Sequence, residues 1–401
     1  MTLTSAHIEL LPEHESHQLE VRTFAEAKVA PRAAEIDRDE RVPHELVSEL
    51  CALGYLGSRL GLEHGGRNLD SVSYGLLHHE LGRACSSTRS LVTVHDMVAE
   101  SILRLGPSDM RASWLPLLAK GEAIAAFALT EPEAGSDASA VRTTAIRDGD
   151  DYLLTGHKQW ISFAQLADVF LVVARLGEDG PIGGFLVRRD TPGLSVTPTA
   201  GLLGLRGSML AELRLDECRV PVTARLGTER MPTGLVTATA LQLGRYSVAW
   251  GCVGLADACW DECSRHTESR TQFGVPLAEH QLVLRMLTEM ATNLRAARLL
   301  CLDAGSALAH REPRAIEATL MAKYFASRAA TSIATDAVQL LGARGCSDLA
   351  PVERHFRDAR VMEIIEGSTQ IQQITIARHL RPRLSSSPEA RESGAGESIP
   401  S

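Results

Sequence analysis

Apolar side chains return every three or four positions through Leu46–Leu53 and again through Met97–Leu105, and Pro43 stands where a helix would open. Residues 15 to about 120 therefore read as helices. Near residue 125 the period shortens. Tyr152–Thr155, Val169–Ala174, Gly184–Val187, Leu194–Pro198 and Leu210–Leu215 are short β-rich segments, parted by the turn residues Asp148–Asp150, Gly177–Gly180 and Thr191–Gly193, and Pro221 closes the series. That spacing predicts a small antiparallel barrel or sandwich. From about Thr233 the helical period resumes through 234–268, 278–309, 313–341 and 369–380, whose short links predict a bundle. Ser385–Ser401 has almost nothing to bury and reads as a disordered tail. The expected organisation is α+β: a helical domain over 1–124, a β-barrel domain over 125–232, a helical bundle over 233–384, and a tail over 385–401.

Composition narrows the picture. With 4% aromatic, 44% hydrophobic and 23% charged residues, the interior is mostly Ala, Leu and Val, a mixture that favours helices. A net charge of −9 argues against a nucleic-acid surface. It leaves room for a local basic dock, for which Arg378, Arg381 and Arg383, or Arg311 and Arg314, are candidates. No apolar run reaches the ~18 residues that span a bilayer, and the polar, acidic N-terminus lacks the basic start of a signal peptide. The eight cysteines form no CxxC pair; Cys252, Cys259 and Cys263 share a helical face and read as small core residues. His78-His79-Glu80 departs from H-E-x-x-H, and its adjacent histidines cannot share a helical face, so it reads as surface and core helix without a metal. A reducing, cytoplasmic setting is expected.

The chemistry centres on Met362–Gln373, M-E-I-I-E-G-S-T-Q-I-Q-Q. One carboxylate, Glu366, follows Ile364 and Ile365 and precedes Gly367; Ser368 and Thr369 open a helix, with Gln372 placed as a capping-box partner. Desolvation by the isoleucines would raise the pKa of Glu366 and make it a stronger base. Gly367 would let the backbone approach a ligand.

Four further segments accompany it. Phe127–Asp137 reads F-A-L-T-E-P-E-A-G-S-D, and Gly156–Ser162 reads G-H-K-Q-W-I-S. Ser269–Leu277 reads S-R-T-Q-F-G-V-P-L and leads to Glu279-His280-Gln281. Gln339–Gly345 reads Q-L-L-G-A-R-G, then Arg357–Arg360, then Glu366–Ser368. In this order the segments resemble the signatures of the acyl-CoA dehydrogenase family over about residues 20 to 382. The resemblance implies an acyl-CoA dehydrogenase-like fold with a C-terminal four-helix bundle, FAD as cofactor, and Glu366 as the base that takes the substrate α-proton while hydride leaves for flavin N5. It implies that Phe127, Leu129, Thr130, Ser136, Trp160, Ile161 and Ser162 line the flavin, Ser replacing the usual Thr at 162. It further implies that Arg270, Gln272, Phe273 and Gln281 reach a neighbouring subunit's cofactor, hence a homodimer or homotetramer. Gln339, Leu340, Gly342, Ala343, Ser368 and Gln370 complete the implied cofactor contacts. Ser136, Arg245, Ile365 and Gly367 are implied at the substrate. No metal is expected.

Cys85–Ser90, Gly244–Gly254 and Met362–Gly367 are similar to the subgroup acting on acyl-carrier-protein thioesters in hydroxymalonyl and methoxymalonyl extender-unit formation. Ile365 stands where fatty-acid enzymes often carry an aromatic. The resemblance thus implies α,β-dehydrogenation of a short polar acyl thioester on an acyl carrier protein. A conventional short-chain acyl-CoA dehydrogenase is the alternative, and a helical scaffold that lost catalysis is a third reading.

Overall fold

The computed structural model describes residues 10–228 and 231–384, with side chains to residue 380; the expected tail at 385–401 lies outside the described residues. The chain begins with α1 (Pro12–Phe24), α2 (Ala33–Asp39), α3 (His44–Ala52), α4 (Ser71–Ala84), α5 (Ser86–Leu105) and α6 (Ser108–Ala119). A sheet segment follows: β1 (Ala125–Ala128), β2 (Thr144–Asp148), β3 (Asp151–Ile161), β4 (Val169–Leu176), β5 (Ile182–Arg188), β6 (Leu194–Pro198), β7 (Ala211–Pro221) and β8 (Arg225–Leu226). Then come α7 (Leu235–Ser269), the hairpin of β9 (Thr271–Gln272) and β10 (Val275–Pro276), α8 (Gln281–Ala309), α9 (Ala315–Leu341), α10 (Val352–Met362) and α11 (Thr369–Leu384). Among the described residues no helix is long and apolar enough to cross a membrane.

The helical and sheet segments fall where the periodicity places them, but the sheet is not a closed antiparallel barrel. Its strands run β6-β7-β3-β2-β4-β5-β8, with β1 beside β4, and β6 and β8 stand at the two ends of the path. Both β1 and β2 pair with β4 in parallel. Val169–Ala174 is buried at every position, which is why β4 reads as a continuous apolar run and not as an alternation. The short β1, β2 and β8 carry too little period to be legible, and β8 continues the sheet beyond Pro221.

Helix α4 is capped by Asp70, whose carboxylate accepts from the N–H groups of Val72 (2.7 Å) and Ser73 (3.0 Å). Cys85 adopts an extended conformation between α4 and α5 and so ends one helix and starts the next. Helix α5 is buried continuously from Ser86 to Ile102, packed among α4, α7 and β1. Its polar residues there are therefore interior groups, some with specific partners. His95 Nδ1 accepts from Ala125 N–H (3.2 Å) while Nε2 donates to Leu118 O (3.0 Å), joining α5 to α6 and β1; burial pushes this histidine down to about 4, so it works neutral. His78 and His79 are likewise fully buried, which places the whole histidine pair in the core and none of it on the surface. Cys252, Cys259 and Cys263 are core residues of α7, as expected.

The three segments are pinned to one another by polar contacts. Asp358 on α10 accepts from Leu205 N–H at 2.6 Å. Arg357 pairs with Asp37 (2.6 Å) and Glu353 (3.0 Å), and Glu40 holds Arg206 (2.7 Å). Of the basic docks, Arg314 is already paired with Asp303 and Glu312; Arg378 and Arg311 are exposed.

Candidate active site

Helix α10 stops at Met362, and the chain crosses to α11 through 363–368. Two successive residues there are left-handed, Glu366 at φ 56° and Gly367 at φ 96°. The glycine takes this conformation freely; the glutamate does so at a cost of about 1–2 kcal/mol, and the turn is held by three side-chain donors. Arg245 Nε donates to Glu366 O (3.0 Å), Gln372 Nε2 donates to the carbonyls of Glu366 (3.1 Å) and Gly367 (3.2 Å), and Lys323 Nζ donates to Gly367 O (2.8 Å) and Glu363 O (3.4 Å). Gln372 is thus not the expected capping-box partner. It clamps the turn, while Ser368 Oγ accepts from Ile371 N–H (3.4 Å) at the start of α11.

This turn aims the Glu366 side chain inward. Its Oε2 is sealed from solvent and has no hydrogen-bond partner. Burial raises the pKa of the carboxyl, against the opposing pull of Arg245, then Lys323, then Arg89. The direction is the expected one, but Ile364 is 56% exposed and contributes less than foreseen. Gly244 lies directly against the carboxylate, and Met97 and Ile365 line the same cavity.

The facing wall is built from the segment after β1 and from a bulge in β3. Glu131 pegs the first of these. It accepts from the N–H groups of Arg142 (2.7 Å) and Thr143 (3.0 Å), from Thr143 Oγ1 (2.5 Å) and from Lys158 Nζ (2.7 Å). Burial raises the Glu131 carboxyl, but Lys158 and these donors outweigh it and leave it below the usual range. Lys158 is itself pushed down to about 8 by burial and reaches on to Leu129 O (3.0 Å). The register of β3 against β7 shifts between Lys158 and Ile161, and Trp160 emerges there left-handed (φ 59°) and 53% exposed.

Between these walls lies a cavity of about 420 Å³. It brings together Phe127, Leu129, Thr130, Ser136, Trp160, Ile161 and Ser162 with Arg245, Ile365, Glu366, Gly367 and Ser368. It does not bring in the remaining expected residues. Phe273, 96% exposed, and Gly274 form the turn of the β9–β10 hairpin, flanked by exposed Arg270 and Gln272 and followed by exposed Gln281. Gln339, Gly342 and Ala343 are exposed at the end of α9, Leu340 is core, and Gln370 is exposed on the first turn of α11. Arg270 and Arg344 both act on His266, so the hairpin and the end of α9 share one end of the bundle.

Sequence reasoning left out Arg89, Ser90, Thr93 and Met97 of α5, Leu241 of α7, which also line the cavity, and Lys323 beneath it. The available signal was a cation set inside otherwise buriable helical runs, S-S-T-R-S-L-V and L-M-A-K-Y-F-A.

The half-exposed Trp160 indole, with the hydroxyls of Thr130, Ser136 and Ser162 on the same wall and the Glu366 carboxylate lining the same cavity, suits a flat aromatic cofactor with polar edges. Helical layers closing on a sheet around such a site define a flavin-dependent acyl-thioester dehydrogenase. The chain matches the N-terminal domain of acyl-CoA dehydrogenase over residues 11–122, the middle domain over 126–218 and the C-terminal domain over 234–381, and it belongs to the acyl-CoA dehydrogenase family. It is 37% identical to the mitochondrial short-chain specific acyl-CoA dehydrogenase of Homo sapiens, over 91% of this chain and 90% of that one. It is similar to the Mycobacterium smegmatis glutaryl-CoA dehydrogenase solved in complex with FADH2 (33% identity, TM-score 0.88, 93% and 95% covered). It is also similar to FkbI, described as serving biosynthesis of the methoxymalonyl extender unit of the Fk520 polyketide (36% identity, TM-score 0.84, 90% and 99% covered). The protein is an FAD-dependent oxidoreductase.

Proposed function

We propose that this enzyme removes two hydrogens from the α and β carbons of a short polar acyl thioester held on an acyl carrier protein, in polyketide extender-unit biosynthesis. The observation that carries the chemistry is the Glu366 carboxylate lining the cavity, its Oε2 buried and without a hydrogen-bond partner. A thioester α-hydrogen is too weakly acidic for an ordinary carboxylate. Desolvation strengthens the base, and preorganised donors stabilise the enolate-like oxygen. The Glu366 carboxylate takes the α-proton. The N–H of Glu366, in a turn held rigid by Arg245, Gln372 and Lys323, donates to the thioester carbonyl. The chemistry that FAD supplies when bound is acceptance of the β-hydride at N5.

Leu129, Thr130, Trp160, Ile161 and Ser162 hold the flavin ring, with Phe127, Ser136, Ser368 and Gln370 around it, and Ser136, Arg245, Ile365 and Gly367 contact substrate. Exposed Arg270, Gln272, Phe273 and Gln281, with Gln339, Leu340, Gly342 and Ala343, complete the cofactor site of a neighbouring subunit in a homodimer or homotetramer. The 96% exposure of Phe273 supports this, since a phenyl ring so placed gains from a partner.

Polar residues lining the same cavity, Ser90 and Thr93, support a polar acyl group, and the likeness to FkbI over 99% of its length supports the extender-unit setting. A second reading, a short-chain acyl-CoA dehydrogenase, is favoured by the 37% identity to the human enzyme. One acyl group offered on an acyl carrier protein and on CoA, with flavin bleaching followed, separates the two. Faster bleaching with the carrier protein is expected; faster bleaching with CoA establishes the second reading.

A further inference from the structure

The deep wall of the cavity carries a charge that proton abstraction does not use. Arg89, on α5, is completely buried and lines the cavity with Ser90, Thr93 and Glu366. Nη1 donates to Thr93 Oγ1 (2.8 Å), Nη2 has only the Met362 sulfur at 3.8 Å, and Nε has no partner. Among the described residues it forms no ion pair. A guanidinium has five donors in a rigid fork, and buried in this way it lacks the acceptors that such a group requires. Room has been cut for it: a Cβ on Gly251 of α7 would run into Arg89 Cδ and stand 2.8 Å from its Nε. The guanidinium is thus seated against backbone and is not a loose chain folded inward.

The surrounding charges leave it unanswered. Among the described residues Glu366 is the one carboxylate lining the cavity, against two arginines, Arg89 and Arg245, with the ammonium of Lys323 acting on the same carboxylate from beneath. Glu366 must stay free to accept a proton. Asp358, which also acts on Arg89, accepts from Leu205 N–H.

We infer that Arg89 is the specificity-determining residue of the acyl pocket and receives an oxygen acceptor, a hydroxyl or a carboxylate, at the end of the acyl group away from the thioester. The inference rests on the acyl-thioester reading above and deepens it, because it assigns the polarity of the acyl group to one side chain. A methyl-ended chain would leave the buried fork unanswered, whereas an oxygen-ended chain meets its free donors, and a carboxylate also balances the charge. Discrimination arises mainly from the penalty for leaving a polar site unpaired.

The test uses FAD-loaded enzyme and three pantetheine thioesters, butyryl, glyceryl and succinyl, with dissociation constants from calorimetry and flavin bleaching recorded separately. Glyceryl or succinyl is expected to bind at least about tenfold tighter than butyryl, and which of the two is tighter identifies hydroxyl or carboxylate. In Arg89→Met the ratio to butyryl falls towards one, and Arg89→Lys, which keeps the charge without the fork, recovers part of it. Butyryl binding as tightly as both others overturns the inference, as does a ratio that Arg89→Met leaves intact. The wild-type ratio decides the matter even where a variant fails to fold. Oxygen-ended thioesters that bind tightly with no bleaching refute the dehydrogenase reading and leave the Arg89 assignment standing; butyryl both bound and bleached best refutes the Arg89 assignment alone.

Discussion

Gly244 of α7 lies directly against the carboxylate of Glu366: a Cβ at position 244 would stand 2.6 Å from Oε2 and 2.8 Å from Cδ. Those residues are 122 positions apart (366 − 244), and the missing side chain of one is the space occupied by the base. Gly244→Ala is therefore expected to fold and to push the carboxylate aside. A misplacement of this kind costs about 100-fold in turnover, measurable as single-turnover flavin bleaching, while FAD content stays at the wild-type level. Unchanged bleaching would show that the carboxylate does not react from this position.

Removing the base gives the sharper loss. Glu366→Gln keeps the shape and loses the proton acceptor, so turnover should fall by about 100- to 10,000-fold. Circular dichroism checks that the fold is retained. Turnover within a few-fold of the parent would disprove the assignment of Glu366.

The pH dependence follows from the raised pKa of Glu366. Activity needs the ionised form, so the acid limb of kcat/KM is expected above the ordinary carboxyl value of 4.5. Arg245 is the largest of the three influences that lower it, so Arg245→Met should move the limb to higher pH, and Lys323→Met should move it in the same direction. For stability the sign is the opposite of a salt-bridged acid. A carboxyl raised in the folded state favours folding below its unfolded pKa, and that contribution is lost as pH rises through the folded value. Glu366→Gln should then match the parent in acid and exceed it in denaturant midpoint at neutral pH.

Glu131 and Lys158 form a buried pair, 5% and 0% exposed, at 2.7 Å. Glu131→Ala leaves the ammonium unpaired inside the sheet and is expected to cost about 3–5 kcal/mol in denaturant unfolding. Because Lys158 also holds Leu129 O, retained FAD should fall along with stability. A variant as stable as the parent with full FAD would show that Glu131 does not hold this wall.

Phe273 bears on assembly. Its ring is 96% exposed in the single chain, so Phe273→Ala should leave the subunit fold unchanged yet weaken self-association or FAD retention by roughly tenfold or more. Analytical ultracentrifugation with flavin absorbance reads both quantities. A variant unchanged in both would remove Phe273 from any interface.

Much of this protein is written locally. The switch from helical spacing to short apolar runs after residue 125, and back after Thr233, follows from side-chain periodicity alone. The turn at Glu366-Gly367 was legible because a glycine after a lone acid, before a hydroxyl residue that can open a helix, is a short-range pattern. Other features depend on distant partners. In the sheet β1 and β2 lie parallel to β4, a pairing that no local period encodes. Gln372 has the spacing of a capping box yet donates to two carbonyls of the turn five and six residues before it, because the left-handed pair at 366–367 turns those carbonyls towards it. The sequence places Gly244, Gly251, Lys323 and Arg89 on helices but does not show what each of them faces. Only the packing of α5, α7 and α9 around one cavity makes two of them spaces and two of them buried cations, since burial and electric field belong to the assembled interior and to no single stretch of chain.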